Sequence, residues 1–199
     1  MNPNHPPQSP GAMLDLIPFG AVDPMAVSIV AAHIQAIIGA YTNIQSERSL
    51  PDYALIATRN QYDAAKILKA LHGESQGAPF KLGLLQEDLC LPILTYVYGE
   101  SQLGGKVAVI SIHRLIDPRP EIIYERAAKI GIHEVGHMIG LEHCRGIDCL
   151  MHFSKQLDQL DGQPLHFCSA CEYEVSRRMK RLVRNGIGVT SQDQRSLEK

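Results

Sequence analysis

The feature that most constrains this chain is the segment HEVGHMIGLEH at residues 133–143. On a helix, His133 and His137 lie one turn apart on the same face, so both imidazoles can reach a single metal ion. Gly140 can take a positive φ at little steric cost, which lets the chain leave the helix and bring His143 back to the same ion. Three neutral nitrogens with an open fourth position predict a catalytic zinc site.

The residue beside the first histidine indicates what such a site would do. Glu134 is placed to touch a metal-bound water rather than to serve as a third equal ligand. Zinc lowers the pKa of a bound water and polarises a carbonyl. Glu134 would take the proton of that water as general base and pass it to the leaving amine as general acid. The segment therefore predicts metal-assisted hydrolysis of an amide, most simply a peptide bond.

Four of the five cysteines form a second group, at Cys144, Cys149, Cys168 and Cys171. Two close pairs separated by a loop are typical of a zinc site, and four thiolates would close its coordination shell and make it structural. Disulfide bonds are the alternative, and they require an oxidising compartment. The N-terminal residues lack the cationic and apolar regions of a secretory signal, which favours zinc. Cys90 is expected to be a buried apolar thiol.

Residues 133–171 resemble the archaemetzincins, zinc proteases of the metzincin clan. The resemblance is carried by the long zinc signature, a Cys directly after its third His, a Cys-x-Met and a C-x-x-C pair. It implies that the three histidines bind a catalytic zinc, that the glutamate is the general base and acid, and that the four cysteines bind a second zinc. It also implies that Met151 is the methionine of the Met-turn under the metal, whereas His152 lies outside the pattern.

Weaker likenesses to the same family lie upstream. They are RNQY at residues 59–62, YVYGE at residues 96–100, and Ser111 followed by Arg114 and Leu115. In metzincins a substrate lies extended along the edge strand above the zinc helix. The strand predicted over residues 107–113 is the last before that helix, so we expect it to be this edge.

The predicted fold is α/β and metzincin-like, with a mixed twisted sheet, helices and an active-site zinc helix. We expect a Pro-rich N-terminal segment at residues 1–15, a subdomain with the active-site helix at 16–143, and a smaller C-terminal subdomain with the Cys₄ zinc site and Met-turn at 144–199. Helices are predicted at about residues 24–41, 62–71, 120–139 and 169–184, and strands at about 53–58, 80–85, 94–98 and 107–113. Gly104 and Gly105 are expected to form the turn between the last two strands.

Composition limits the partners of this chain. A net charge of −2 gives no electrostatic reason to expect nucleic acid, and no apolar run approaches the length of a membrane span. We therefore expect a cytoplasmic monomer that acts on a peptide or protein substrate. Five cations lie in the C-terminal helix, and we interpret them as a solvated face, with docking of nucleic acid or an acidic partner as the alternative. They are Arg177, Arg178, Lys180, Arg181 and Arg184.

Three functions compete for these motifs. The first is a zinc metallopeptidase that uses two zinc ions, one catalytic and one structural. The second is a zinc-binding peptide-recognition or regulatory protein with little or no hydrolytic activity, and the third is a zinc-ribbon-like nucleic-acid module. Glu134 favours the first, because metal binding alone does not require a base at that position.

Overall fold

A computed structural model describes residues 13–186 of the chain. The strands in this range are β1 (Leu14–Phe19), β2 (Thr42–Ile44), β3 (Leu55–Ile56), β4 (Gln61–Asp63), β5 (Phe80–Leu85), β6 (Leu89–Cys90), β7 (Gly99–Ser101) and β8 (Val107–Ser111). The α-helices are α1 (Pro24–Ile38), α2 (Ala64–His72), α3 (Pro120–Met138), α4 (Leu157–Gly162) and α5 (Ser169–Arg184), and Asp52–Ala54 forms a 3-10 turn. No helix within residues 13–186 has the length and apolarity needed to cross a bilayer.

The main sheet of the described residues has the strand order β2-β1-β5-β8-β7. The first four of these strands are parallel, and β7 pairs antiparallel with β8. β1, β5 and β8 are buried along their whole length, as strands covered on both faces are. A smaller sheet contains β3, β4 and β6 in that order of pairing. The predicted mixed α/β class is therefore confirmed.

Two apolar clusters fill the molecule on the two sides of the main sheet. The larger includes the inner faces of α1 and α3, and the smaller includes α2. α1 and α3 approach closely at Gly131, where an added Cβ would lie 2.9 Å from Cγ1 of Val30. A glycine in a helix interior costs roughly 1 kcal/mol relative to alanine. At this position the loss of helix stability is accompanied by a close helix–helix contact that a larger residue would prevent. The contact fixes α3, which carries the first two histidines.

The sheet edge differs from the predicted one. β8 is flanked by β5 on one side and β7 on the other, so it is an inner strand and the prediction that it forms the exposed edge is wrong. Its sequence VAVIS is apolar on both faces, which is typical of an inner strand. Among the described residues the edges of this sheet are β2 and β7, and β7, which is not among the predicted strands, is the edge beside β8. The turn at Gly104, with φ of 65°, joins β7 to β8 rather than residues 94–98 to β8.

Several element boundaries also differ from prediction. The first helix ends at Ile38 because Gly39 takes a φ of 79°, and the second begins only at Ala64 because Asp63 caps it. Residues 53–58 form part of the 3-10 turn and the two-residue β3, and residues 94–98 contribute one bridge, from Val97 to Leu89.

The N-terminal strand β1 was not predicted at all. Its first two residues fall within the predicted Pro-rich segment 1–15, although Leu14 is 1% and Asp15 is 4% exposed. The rest of that segment, residues 1–12, and the tail after Gly186 lie outside the described residues.

Candidate metal centres and active-site cleft

Helix α3 and the loop after it bring three imidazoles together. The Nε2 atoms of His133 and His137 are 3.0 Å apart, and Nε2 of His143 is 3.3 Å from that of His137. The helix ends because Gly140 takes a φ of 95°, and the N–H of Leu141 then donates to the carbonyl of Gly136 at 2.9 Å. The sequence analysis expected this reversal, and the structure brings the three predicted histidines into one cluster, which we call the histidine cluster.

Backbone carbonyls fix the tautomers of two of these rings. Nδ1 of His133 is 2.9 Å from the carbonyl of Leu150, and Nδ1 of His137 is 2.7 Å from the carbonyl of Leu141. Because a carbonyl only accepts, each Nδ1 must carry the hydrogen, and each Nε2 presents a lone pair. These lone pairs face each other with no proton between them. A cation among the three nitrogens removes that repulsion.

The donor set fits zinc. With Zn–N bonds of about 2.0–2.1 Å, tetrahedral ligand atoms lie about 3.3 Å apart, close to the observed separations. Burial lowers the pKa of His133 to about 4 and also lowers the pKa of His137 and of His143. All three rings are therefore held in the neutral form that metal binding requires.

Glu134 lies under the edge strand, where two residues of β7 enclose it. Its carboxylate Oε2 accepts a hydrogen bond of 2.5 Å from Oγ of Ser101. An added Cβ on Gly99 would lie 2.8 Å from Oε1 of Glu134, so a side chain at that position would displace the carboxylate. Burial raises the pKa of Glu134 to about 7, while the Ser101 hydrogen bond acts in the opposite direction. A carboxyl with a pKa near neutrality is suited to accept and release a proton.

The sequence analysis missed Ser101 and Gly99 as parts of the site. They lie in a segment rich in Gly and polar residues, which is typical of a loop. Their contact with Glu134 depends on the pairing of β7 with β8 and on how that hairpin lies over α3. Gly99 belongs to the YVYGE motif at residues 96–100, but no local signal identifies the contact of either residue with Glu134.

The four predicted cysteines also come together, and we call them the cysteine cluster. Their Sγ atoms all lie within 4.8 Å of one another, and those of Cys144 and Cys168 are 3.8 Å apart. With Zn–S bonds of about 2.3 Å, tetrahedral sulfur ligands lie about 3.8 Å apart, whereas a disulfide requires about 2.05 Å. All five cysteines are free thiols in the structure, and Cys90 is buried away from the cluster, as expected.

Backbone N–H groups favour thiolates in this cluster. The N–H of Gly146 donates to Sγ of Cys144, and the N–H of Cys168 donates to Sγ of Cys149, both at 3.4 Å. The backbone hydrogen bond from Cys171 is the largest cause that lowers the pKa of Cys168 to about 7, whereas burial raises the pKa of Cys149 and of Cys171. Such N–H···S contacts are what a set of metal-binding thiolates requires.

Residues 144–152 join the two clusters. The N–H of Cys144 donates to the carbonyl of Met151 at 2.8 Å, and Nδ1 of His152 lies 3.1 Å from the carbonyl of Cys144. Met151 is fully buried beneath α3, and an added Cβ on Gly136 would lie 2.6 Å from its Sδ. His152 is not one of the clustered imidazoles. The segment thus supports the histidine cluster from below while its first residue belongs to the cysteine cluster.

Two hollows adjoin Glu134. The metal-side hollow has a volume of about 510 Å³ and is lined by the three histidines and by residues of β7. The apolar hollow has a volume of about 400 Å³ and lies on the other side of Glu134. Its apolar and aromatic lining is Leu94, Tyr96, Val97, Tyr98, Ile130, Phe153 and Leu160. Together they form a cleft beside the edge strand that is open to an extended chain.

Comparison with known proteins identifies similar chains over most of this length. The sequence model of peptidase family M54 matches residues 28–177. The archaemetzincin of Methanopyrus kandleri is 37% identical over 171 residues, which are 84% of this chain and 98% of that protein. A crystal structure of archaemetzincin from the same organism superposes with a TM-score of 0.78 at 35% identity, covering 87% of this chain and 98% of the other. A structure of archaemetzincin from Archaeoglobus fulgidus complexed with malonate gives a TM-score of 0.72 at 30% identity, covering 81% and 99%.

Proposed function

The chain belongs to peptidase family M54, the archaemetzincins, and is a zinc metallopeptidase, and we propose the role of each site residue in this activity. We assign the catalytic zinc to His133, His137 and His143, and the proton transfer of peptide hydrolysis to Glu134. The observation that carries the assignment is the pair of Nε2 lone pairs that face each other at 3.0 Å while both Nδ1 atoms are held by carbonyls. Burial lowers the pKa of both rings and so disfavours a shared proton, whereas a bound metal ion makes that arrangement favourable.

When bound, zinc polarises the substrate carbonyl and lowers the pKa of a coordinated water towards neutrality. Glu134 takes the proton of the attacking water and delivers it to the leaving nitrogen. Ser101 holds one carboxylate oxygen, Oε2, so Oε1 is the oxygen that we assign to the transferred proton. The zinc-binding alternative without hydrolysis offers no use for a buried carboxylate held in this way.

We assign a second, structural zinc to the cysteine cluster. The sulfur separations and the N–H···S contacts support this count of two ions. The boundary between the proposed N-terminal subdomain and the C-terminal one, residues 144–199, then falls between His143 and Cys144. Met151 is proposed as the Met-turn residue because it lies buried against Gly136 of the zinc helix.

The substrate is proposed to lie along β7. Just beyond the two ends of β7, the N–H of Ser111 donates to the carbonyl of Tyr98 at 2.8 Å, and the N–H of Gln102 donates to the carbonyl of Val107 at 3.2 Å. Because such pairs alternate in an antiparallel ladder, the N–H and C=O groups of Gly99 and Ser101 point away from β8. They can pair with the backbone of an extended peptide.

Three finer predictions remain proposals. They are a cytoplasmic location, a monomeric state and the absence of a nucleic-acid partner. The net charge of −2 supports the last of them. In the C-terminal helix, Arg177 and Arg178 both pair with Glu174, which reduces the free positive charge of that face.

The test is the Glu134→Gln variant, which keeps the size of the side chain and removes its basicity. We expect hydrolysis of a peptide library to fall by about 10²–10⁴-fold, the contribution of general acid–base catalysis, while both zinc ions remain bound. The matched control is Glu121→Gln, an exposed glutamate in the first turn of the same helix. Loss of zinc from Glu134→Gln, or full activity in it, would contradict the assignment.

A further inference from the structure

Three motifs that lie far from the histidines in sequence meet at one place in the fold. Nη2 of Arg59 donates to the carbonyls of Leu94 and Thr95 at 2.9 and 2.6 Å. Nε2 of Gln61 donates to the carbonyl of Thr95 at 2.9 Å and to Oδ2 of Asp88 at 2.7 Å. The motif at residues 59–62 thus binds the backbone just before the motif at residues 96–100.

The third motif contributes an arginine to the same network. Arg114 makes a two-pronged ion pair with Asp88, with Nε–Oδ1 and Nη2–Oδ2 distances of 2.7 and 2.6 Å. Its guanidinium also lies over the ring of Tyr96, 4.2 Å from the ring centroid. Asp88 is buried, with 7% of its side chain exposed. A buried carboxylate needs such a partner, and the flat guanidinium satisfies both the carboxylate and the aromatic ring.

Asp88 keeps its charge in this setting. Burial acts to raise its pKa, but the hydrogen bonds from Arg114 and Gln61 outweigh burial and lower the pKa below its usual range. A turn at Asn60, in the left-handed region with φ of 49°, separates Arg59 from Gln61. Asparagine tolerates that conformation better than most residues, which gives the motif a structural reason for its asparagine.

The network holds a segment with little structure of its own. Residues 94–98, which we call the wall segment, form a single bridge, in which the N–H of Val97 donates to the carbonyl of Leu89 at 3.0 Å. The segment lines the apolar hollow together with Phe153 and Leu160. It then leads directly into β7, whose Ser101 holds Glu134. The pairing of β7 with β8 holds the edge strand independently, so the wall segment bears mainly on the hollow.

The buried lysine that lines the apolar hollow is already paired with neighbouring groups. This residue is Lys129, whose ammonium donates to the carbonyl of Leu160 at 3.1 Å and pairs with Glu125 at 2.8 Å. Glu100, Lys155 and a few polar side chains also line the hollow, and the rest of the lining is aliphatic and aromatic. A volume of about 400 Å³ lies within the range of pockets that bind organic groups. The chemistry of the hollow suits a bulky apolar side chain of a substrate.

We propose that Arg114, through Asp88 and Tyr96, positions the wall segment and thereby sets the affinity of the cleft for substrates with a bulky apolar side chain next to the scissile bond. The proposal rests on the proposed peptidase function and adds a positioning residue and a substrate class to it. Arg114 does not touch the reacting atoms. It acts on substrate binding more than on the chemical step.

The experiment compares Arg114→Ala with a matched control, Arg48→Ala. Arg48 also makes a two-pronged pair, with Glu74, and its side chain is 38% exposed against 37% for Arg114. Two milder variants keep the proposal testable if Arg114→Ala does not fold. Arg59→Ala removes hydrogen bonds to the wall segment without leaving a buried charge unpaired. Arg114→Lys keeps the positive charge but loses the planar guanidinium that can bind a carboxylate with two hydrogen bonds.

The first measurement is hydrogen–deuterium exchange of peptides that cover residues 94–101. Exchange should be faster by about tenfold in Arg114→Ala, intermediate in Arg59→Ala and Arg114→Lys, and unchanged in Arg48→Ala, because amide exchange reports local opening. This readout requires no catalysis. Unchanged exchange in Arg114→Ala and Arg59→Ala would overturn the proposal, whereas a wild-type protein that cleaves no peptide would count against the proposed function instead.

The second measurement is steady-state cleavage of two matched peptides that differ only in the side chain that enters the hollow, phenylalanine or alanine. In Arg114→Ala, KM for the phenylalanine peptide should rise about tenfold with kcat nearly unchanged, and the alanine peptide should lose less than about threefold, since binding is what is removed. An equal loss for both peptides, or a loss confined to kcat, would overturn the proposal. So would a wild-type enzyme that does not distinguish the two peptides.

Discussion

The histidine cluster and the cysteine cluster share one stretch of chain but are built differently. Two histidines stand on the rigid helix α3, and their rings are oriented by backbone carbonyls. The third, His143, is exposed and adjoins a hollow. The cysteines come from loops and the start of α5, and their sulfurs face one another with Cys149 fully buried. One cluster leaves space for a substrate, and the other leaves none.

This difference teaches what each ion is expected to do. A closed set of four thiolates draws several loop segments together, so its binding free energy contributes to folding. An open set of three imidazoles rests on a helix that is already fixed by its packing against α1, so its ion adds less to stability. The two clusters should therefore respond very differently to the loss of a ligand or of the metal.

The largest expected effect is that of Cys149→Ser. Structural zinc contributes about 10–16 kcal/mol in zinc-finger peptides, which is as large as the whole stability of a typical domain. We expect an insoluble or protease-sensitive product with less zinc. The matched control is Cys90→Ser, since Cys90 is also fully buried but lies outside the cluster. It should cost only about 1–3 kcal/mol, measured by thermal unfolding. A soluble Cys149→Ser variant with an unchanged melting temperature would contradict the structural role proposed for the cysteine cluster.

The next effect concerns chelation. We expect the purified chain to hold two zinc ions by elemental analysis, and EDTA to remove one of them on the order of tenfold faster or more, because three ligands and an open position release metal more readily than four. Hydrolysis should stop with the first ion and return when zinc is added, while the melting temperature changes little. His137→Ala, prepared in the same way, should contain only the slowly released ion. Release of both ions at one rate would contradict the comparison.

The smallest effect should come from Ser101→Ala, which leaves both clusters intact. Removal of its hydrogen bond to Glu134 should lower kcat by about 3- to 10-fold, equivalent to roughly 0.7–1.4 kcal/mol, with zinc content and melting temperature unchanged. Ser28→Ala is the control, since Ser28 is exposed and its hydroxyl bonds only to the carbonyl of Pro24 within α1. A variant as active as the wild type would mean that β7 does not orient Glu134.

The sequence was informative wherever the geometry is local. His133 and His137 come together because a helix repeats nearly every four residues, and Gly140 provides the reversal that a positive φ allows. The cysteine pairs are close in sequence as well, so their assembly needs one loop closure. The structure brings both predicted sets together, while their roles as ligands remain predictions.

The sequence was uninformative wherever two distant segments decide the outcome. Ser101 reaches Glu134, and Arg114 reaches Asp88 and Tyr96, only after the sheet has formed. β7 is short and contains a glycine, so its propensity is that of a loop and its strand pairing comes from β8. The wrong choice of edge strand has the same origin. A single strand's pattern indicates burial, but its neighbours in the sheet depend on the whole topology.

A single peptide bond joins His143 to Cys144, so we expect the two proposed ions to affect each other's binding. Occupation of the cysteine cluster reduces the freedom of the loop that carries His143, which lowers the entropic cost of engaging the third imidazole. By thermodynamic reciprocity, occupation of the histidine cluster must strengthen the cysteine cluster by the same factor. We expect the activity of this enzyme to depend on free zinc more steeply than a one-site isotherm allows. A metal held for structure would then also set the threshold concentration at which catalysis begins.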